Sequence, residues 1–87
     1  MKADQEKVNR LLKTARGQID GILKMVEEER YCIDVFNQVL ATRSLLNSVN
    51  KEILHGHMEH CVKQAFAEGK ESEKIEEILA IMDKLAK

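Results

Sequence analysis

Between Cys32 and Phe66 no proline interrupts the chain, and apolar side chains recur at Val35, Phe36, Val39, Leu40, Leu45, Leu46, Val49, Ile53, Leu54, Met58, Val62 and Ala65. Proline is the residue that most reliably ends a helix, and apolar residues spaced by three and four are what a helix gathers on one side. The stretch therefore predicts one long helix. Its apolar residues cover a face too broad for a single contact, so the helix must bury itself against more than one neighbour. The short segments on either side do not supply enough surface, and oligomerisation is expected.

Before this helix, Val8, Leu11, Leu12, Ala15, Ile19, Ile22, Leu23 and Val26 form an apolar stripe, with Lys7, Arg10 and Lys13 off it. The spacing predicts an amphipathic helix from about residue 4 to 28, with Asp4 as its N-cap. Glu27, Glu28 and Glu29 give it an acidic last turn, which is unfavourable for the helix dipole but solvated. Gly17 and Gly21 each cost roughly 1 kcal/mol inside a helix, so either another helix approaches closely there or the helix is weaker at that point. After the long helix, Glu68-Gly69-Lys70 reads as a turn and Ser72 as a cap, and Ile75, Ile78, Leu79, Met82 and Leu85 mark a third helix. The protomer is thus expected to be all-α, three helices with one long central helix. A composition of 44% hydrophobic and 33% charged residues, with no Trp, one Tyr and two Phe, agrees with amphipathic helices rather than a sheet sandwich. At 87 residues the chain reads as a single domain, 1–87, near the lower size at which one core is stable unaided, and it holds no repeats or low-complexity segments.

The net charge of -1 conceals a polarity along the chain. Residues 1–24 carry six basic and three acidic side chains, a net +3, and the remainder carries eight basic and twelve acidic, a net -4. There is no apolar run of ~18 residues to span a membrane and no secretory leader, so a cytoplasmic protein without membrane contact is expected. In a reducing compartment Cys32 and Cys61 are better read as free thiols, ligands or redox sensors than as a disulfide.

The stretch HGHMEHC, residues 55–61, contains all three histidines and one of the two cysteines. His57 and Cys61 stand at i and i+4, which puts both on one face of a helix. His55 and His60 point about 120° and 100° away from Cys61 and read as exposed bystanders, and Met58 reads as core filler. Cys32, the other thiol, lies 25 residues before His57, or about 38 Å along a continuous helix. One chain cannot close that chelate. Two long helices packed antiparallel about a two-fold axis would bring Cys32 of one copy beside His57 and Cys61 of the other. Each residue also has a plainer reading, Cys61 as a core cysteine with a solvated histidine nearby and Cys32 as a buried cysteine. As ligands, two thiolates and one imidazole form a soft set that suits three-coordinate Cu(I), where structural zinc normally takes a fourth donor.

The stretches RGQIDGILKMVEEERYC and VLATRSLLNSVNKEILHGHMEHCV resemble the bacterial copper-sensitive operon repressors and their nickel- or cobalt-, formaldehyde- and persulfide-sensing relatives. The resemblance covers nearly the whole chain. Its most specific element is a cysteine, 24 residues, a histidine, three residues and a second cysteine, the spacing of the copper-sensing branch. The resemblance implies an antiparallel four-helix-bundle dimer, a homodimer paired again into a homotetramer, that represses transcription when metal-free and leaves double-stranded operator DNA on binding Cu(I). It further implies that Cys32, His57 and Cys61 are the copper ligands, and that Tyr31 and Glu77 contact the liganding histidine. The nickel and cobalt branch uses additional histidines, and the persulfide branch lacks the counterpart of His57. In LLKTARGQ, Thr14 stands where copper sensors commonly carry Arg.

No helix-turn-helix pattern is present, so DNA contact is expected from basic residues on a helical surface, namely Lys7, Arg10, Lys13, Arg16 and Arg43. Two other readings stand beside the copper repressor: a thiol- or persulfide-responsive repressor using Cys32 and Cys61, and a cytosolic copper-binding protein with no DNA function. An enzyme is not expected, because no base-oriented nucleophile or pocket motif is visible.

Overall fold

The computed structural model describes residues 1–86 and consists of α1 (Gln5–Glu27), α2 (Cys32–Glu68) and α3 (Glu71–Ala86), with no strand among the described residues. α1 begins where its cap requires, the Asp4 carboxylate accepting the Lys7 backbone N–H at 3.2 Å. Its end is less ordinary. The Arg30 N–H reaches back to the Met25 carbonyl at 3.0 Å and the Glu29 N–H to the Val26 carbonyl at 3.1 Å, a Schellman turn that needs one left-handed residue. That residue is Glu29, with φ of 52°. The acidic run therefore serves as the turn into α2.

α2 is unbroken for 37 residues and extends two residues beyond the expected Phe66. Gly69, at φ 72°, closes it by returning its N–H to the Ala65 carbonyl. α3 starts directly after this turn at Glu71, so Ser72 is not the cap that the sequence led us to expect. It already lies inside the first helical turn, because the left-handed Gly69 reverses the chain within two residues. Lys70 precedes the helix, and its carbonyl accepts the Lys74 N–H at 3.4 Å.

The connection between α1 and α2 is so short that the two must run antiparallel. Their register is marked by Gln18 against Thr42, by Lys7 against Glu52 and, just before α1, by Ala3 against Gly56, so that moving back along α1 goes with moving forward along α2 by nearly the same number of residues. Val8, Ala15, Thr42 and Val49 are buried along this hairpin. Thr42, the only buried polar residue among those described, donates its hydroxyl to Gln18 Oε1 at 2.8 Å. Gly56 is required where the N-terminal segment crosses, since a Cβ there would collide with the Ala3 backbone. Gly17 and Gly21 have open space around them, so no helix of the same protomer approaches them. α3 folds back along the second half of α2 and, among the described residues, makes no close approach to α1.

The result is a single layer measuring 57 × 27 × 12 Å, the thickness of one helix. The radius of gyration is 17.4 Å, against about 12 Å for a compact chain of this length. The exposed surface is 6925 Å², against about 5,200 Å² for a compact protein of this mass. Ile19, Leu23, Val26, Ile33, Phe36, Val39, Leu40 and Leu46 are all exposed. The protomer thus lacks the core that the breadth of α2 demands. No helix among the described residues is long and apolar enough to cross a membrane.

A left-handed backbone costs a residue with a Cβ roughly 1 kcal/mol more than glycine. Glu29→Gly is therefore predicted to stabilise the protein by about 1 kcal/mol, read by urea denaturation at fixed protomer concentration. A loss of stability would mean that the Glu29 side chain contributes more than its backbone costs.

Candidate metal centre

Because α2 is continuous through residues 55–61, His57 and Cys61 stand one turn apart on the side that α3 covers. His57 Nδ1 lies 3.6 Å from Cys61 Sγ, and His57 Nε2 lies 2.8 Å from Glu77 Oε1 on α3. In the neutral imidazole only one ring nitrogen carries hydrogen. The Glu77 carboxylate can only accept, so it places that hydrogen on Nε2 and leaves the Nδ1 lone pair facing the thiol. Two donors bound at ~2.0–2.1 Å (nitrogen) and ~2.3 Å (sulfur) to a common tetrahedral ion would be about 3.6 Å apart. The His57–Cys61 spacing thus fits the bite of a single metal ion.

Glu77 is itself held. Its second oxygen, Oε2, accepts from Lys74 Nζ at 3.1 Å. The hydrogen bonds from His57 and then from Lys74 keep the Glu77 carboxyl below its ordinary range, and the bond to Glu77 raises the Lys74 ammonium. A carboxylate whose folded value is depressed contributes stability above its unfolded value and loses it as pH falls through the folded one. The clasp between α2 and α3 is therefore complete at neutral pH and opens in acid. All three side chains retain a third or more of their exposure, so this is a solvated clasp rather than a buried ion pair.

Of the five site residues expected from the sequence, the protomer brings together His57, Cys61 and Glu77. Cys32 and Tyr31 are exposed at the far end of α2, about 38 Å from His57 by helix length. Among the described residues no group of three His, Cys, Asp or Glu side chains converges to hold a metal ion. His55 turns to Glu59 at 3.5 Å, and His60 is exposed. One protomer thus brings one thiol and one imidazole together, with the second thiol far away. Sequence reasoning passed over Lys74, although its i, i+3 spacing to Glu77 was a readable signal.

On α1, Lys7 is engaged by Glu52 at 3.1 Å. Arg10, Lys13 and Arg16 are exposed, and among the described residues they have no ion-pair partner. At ~100° per residue they span an arc of about 120° on the side of α1 away from α2. Thr14 turns inward to its own helix, donating its hydroxyl to the Arg10 carbonyl at 3.0 Å. Arg43 is exposed on α2, about 100° round that helix from Thr42.

The chain is thus an α-helical protein that combines a hairpin with a basic outer face, a short third helix and a paired thiol and imidazole. Residues 4–84 match the model of the metal-sensitive transcriptional repressors, and the chain belongs to that family, which includes the CsoR repressors. It is 43% identical over 68 residues to the copper-sensing transcriptional repressor CsoR of Mycobacterium ulcerans (strain Agy99). That match covers 78% of this chain and 58% of the relative, so the chain accounts for little more than half of that repressor's length. Among solved structures it is similar to the copper-sensing repressor CsoR with Cu(I) from Geobacillus thermodenitrificans NG80-2, with a TM-score of 0.85 and 36% identity over 94% of this chain and 85% of that one. It is also similar to the nickel-responsive transcriptional regulator InrS, with a TM-score of 0.83 and 33% identity over 97% and 94% of the two chains. The family is one of transcriptional repressors, not enzymes.

Nitrogen-15 NMR of the imidazole in the metal-free protein near neutral pH is predicted to show the His57 hydrogen on Nε2. In Glu77→Ala the two tautomers should become mixed. A dominant Nδ1–H form in the unsubstituted protein would contradict the geometry.

Proposed function

We propose that this protein is a Cu(I)-responsive transcriptional repressor that binds operator DNA when metal-free and releases it when Cu(I) occupies a site shared between two protomers. The observation that carries the reading is the half-chelate: two donors spaced for one ion, with the only other thiol of the chain at the opposite end of the same rigid helix. A second copy, antiparallel to the first, completes each site with Cys32 and gives two equivalent sites per dimer. Pairing of dimers into a homotetramer accounts for the further apolar surface on α1 and α3.

The donor set favours copper. Cys32, His57 and Cys61 supply two thiolates and one imidazole, and Cu(I) when bound supplies a soft cation that accepts these three alone. A nickel-type set would call for more imidazole, and neither His55 nor His60 faces Cys61.

The chain's own residues provide the relay. With Nδ1 committed to the site, His57 keeps its Nε2–H on Glu77, and any rotation of the ring is passed to α3 through that bond. Lys74 fixes the other carboxylate oxygen, so α3 follows as a body. Tyr31, adjacent to Cys32, would reach the same histidine from the other protomer. On the outer face Arg10, Lys13 and Arg16, with Lys7 at their edge, neutralise phosphates, and the two-fold assembly repeats that surface along a pseudo-palindromic operator. Coupling between the two sites of roughly 1–3 kcal/mol lowers operator affinity several-fold to a hundredfold.

Gel-shift titration with the DNA upstream of its own gene tests the reading: Cu(I) is expected to release the DNA. Cys32→Ala and Cys61→Ala should lose copper and hold DNA constitutively, while His57→Ala should keep copper on two thiolates yet fail to release. Release by persulfide with no response to Cu(I) would favour the thiol-sensing alternative, and binding of copper with no operator binding would favour a simple copper protein. For the DNA face, Lys13→Ala with Arg16→Ala should flatten the salt dependence of operator binding by about two counterions per protomer engaged. An unchanged slope would place the DNA surface elsewhere.

A further inference from the structure

α2 carries a second ladder that the protomer leaves uncovered. Cys32, Phe36, Val39, Arg43, Leu46, Asn50, Ile53 and His57 follow one another at steps of four, three, four, three, four, three and four, the spacing of a helix that packs lengthwise on another helix. Thr42 and Val49, which are buried against α1, belong to a different side of the helix. Along the ladder Phe36 keeps 60% of its exposure, Val39 49% and Leu46 41%, and Cys32, Arg43 and Asn50 are exposed as well. Only Ile53 and His57, beside α3, are partly covered.

The occupant that fits this ladder is a second copy of itself. The sequence of steps reads the same in both directions, so an antiparallel copy meshes with it layer for layer. The surplus of exposed surface over a compact chain is about 1,700 Å² per protomer, comparable with what obligate dimers bury. The split chelate then fixes which layers meet. With Cys32 against the partner's His57, Phe36 meets the partner's Ile53, Val39 meets the partner's Asn50 and Arg43 meets the partner's Leu46. One turn further, with Cys32 against the partner's Cys61, Arg43 meets the partner's Asn50.

Two polar residues thus stand within an otherwise apolar seam, and only this register pairs them. We propose that Arg43 is the register-setting residue of the dimer seam, its guanidinium donating to the side-chain carbonyl of the partner's Asn50. The inference rests on the shared-site reading above, and it assigns Arg43 to assembly instead of DNA contact. The remaining layers of Phe, Val, Leu and Ile would tolerate a slip of one heptad, because one aliphatic layer packs much like the next. Arg43 would not. A slip one way sets it against the partner's Arg43 and Val39, placing like charges together, and a slip the other way sets it against the partner's Ile53 and His57, with no acceptor for its donors in the apolar layer. An unpaired guanidinium in such a seam is strongly unfavourable, so the polar pair excludes both slips. The alignment of Cys32 with the distant His57 and Cys61 is then set near the two-fold axis, with Arg43 about three turns from Cys32.

Cross-linking tests this without copper or DNA. A short bis-maleimide, which adds one thiol at each end, can bridge Cys32 only to the partner's Cys61, since the two thiols of one chain are a helix length apart. The unsubstituted protein should give covalent dimers in high yield. Arg43→Leu with Asn50→Leu should remain dimeric by sedimentation, its seam now wholly apolar, while the cross-linking yield falls several-fold as slipped registers fill. Asn50→Asp, which keeps an acceptor for Arg43, should retain the original yield. A dimeric double variant that cross-links as well as the unsubstituted protein would overturn the register proposal while leaving the shared site intact. Absence of covalent dimers from the unsubstituted protein would instead overturn the shared site, and the register proposal with it. Arg43→Leu that leaves cross-linking unchanged but lowers the salt slope of operator binding would return Arg43 to the DNA surface.

Discussion

The feature on which everything else depends is the rigidity of α2. A continuous helix of 37 residues is a spacer about 55 Å long, and it holds one thiol at its start and a thiol–imidazole pair near its end. A loop or a proline kink between them would have allowed the chain to fold back and close a site on itself. With neither, the donors remain apart, and the broad apolar surface of the helix remains uncovered for the same reason. The separation of the two thiols and the incomplete core are two consequences of one geometric fact, and in the proposed assembly one antiparallel partner would remedy both.

The second half of the architecture follows from what α3 does with the end of α2. The Gly69 turn is tight enough to return the chain within two residues, which lays Glu77 against His57 with Lys74 holding the other carboxylate oxygen. Because those groups are half-exposed, the clasp adds little to stability. Its importance is directional: it ties the imidazole beside Cys61 to a separate element, α3. A weak clasp between a rigid helix and a short one is suited to a switch, since a modest free-energy difference at the site is enough to bias it.

Much of this was legible in the sequence because it depends on local rules. Asp4 as a cap, the unbroken run from Cys32 and the turn at Gly69 are set by residues within a turn of one another, and each was found where expected. The His57–Cys61 pair was legible for the same reason, since i, i+4 spacing on a helix fixes proximity. The misses are instructive by contrast. Glu29 adopts a left-handed conformation that its side chain does not favour, because the reversal into α2 demands one there. Ser72 was displaced from its expected capping position by the turn preceding it. Gln18 with Thr42 and Ala3 with Gly56 depend on the register of the hairpin, which no single segment encodes. Glu77 was expected at His57 only through resemblance, and its oxygens are aimed by Lys74, which was overlooked.

The central claim is that each metal site is shared between two protomers, and subunit mixing tests it most directly. Cys32→Ala protomers retain His57 and Cys61, and Cys61→Ala protomers retain Cys32, so each homodimer lacks a complete site. After unfolding and refolding the two together, the mixed dimer would recover one intact site of its two. Equilibrium Cu(I) titration against a competing chelator should therefore show tight binding in the mixture at one ion per mixed dimer and none in either variant alone. Failure of the mixture to bind, with mixed dimers demonstrated by mass spectrometry, would contradict a site shared across the seam.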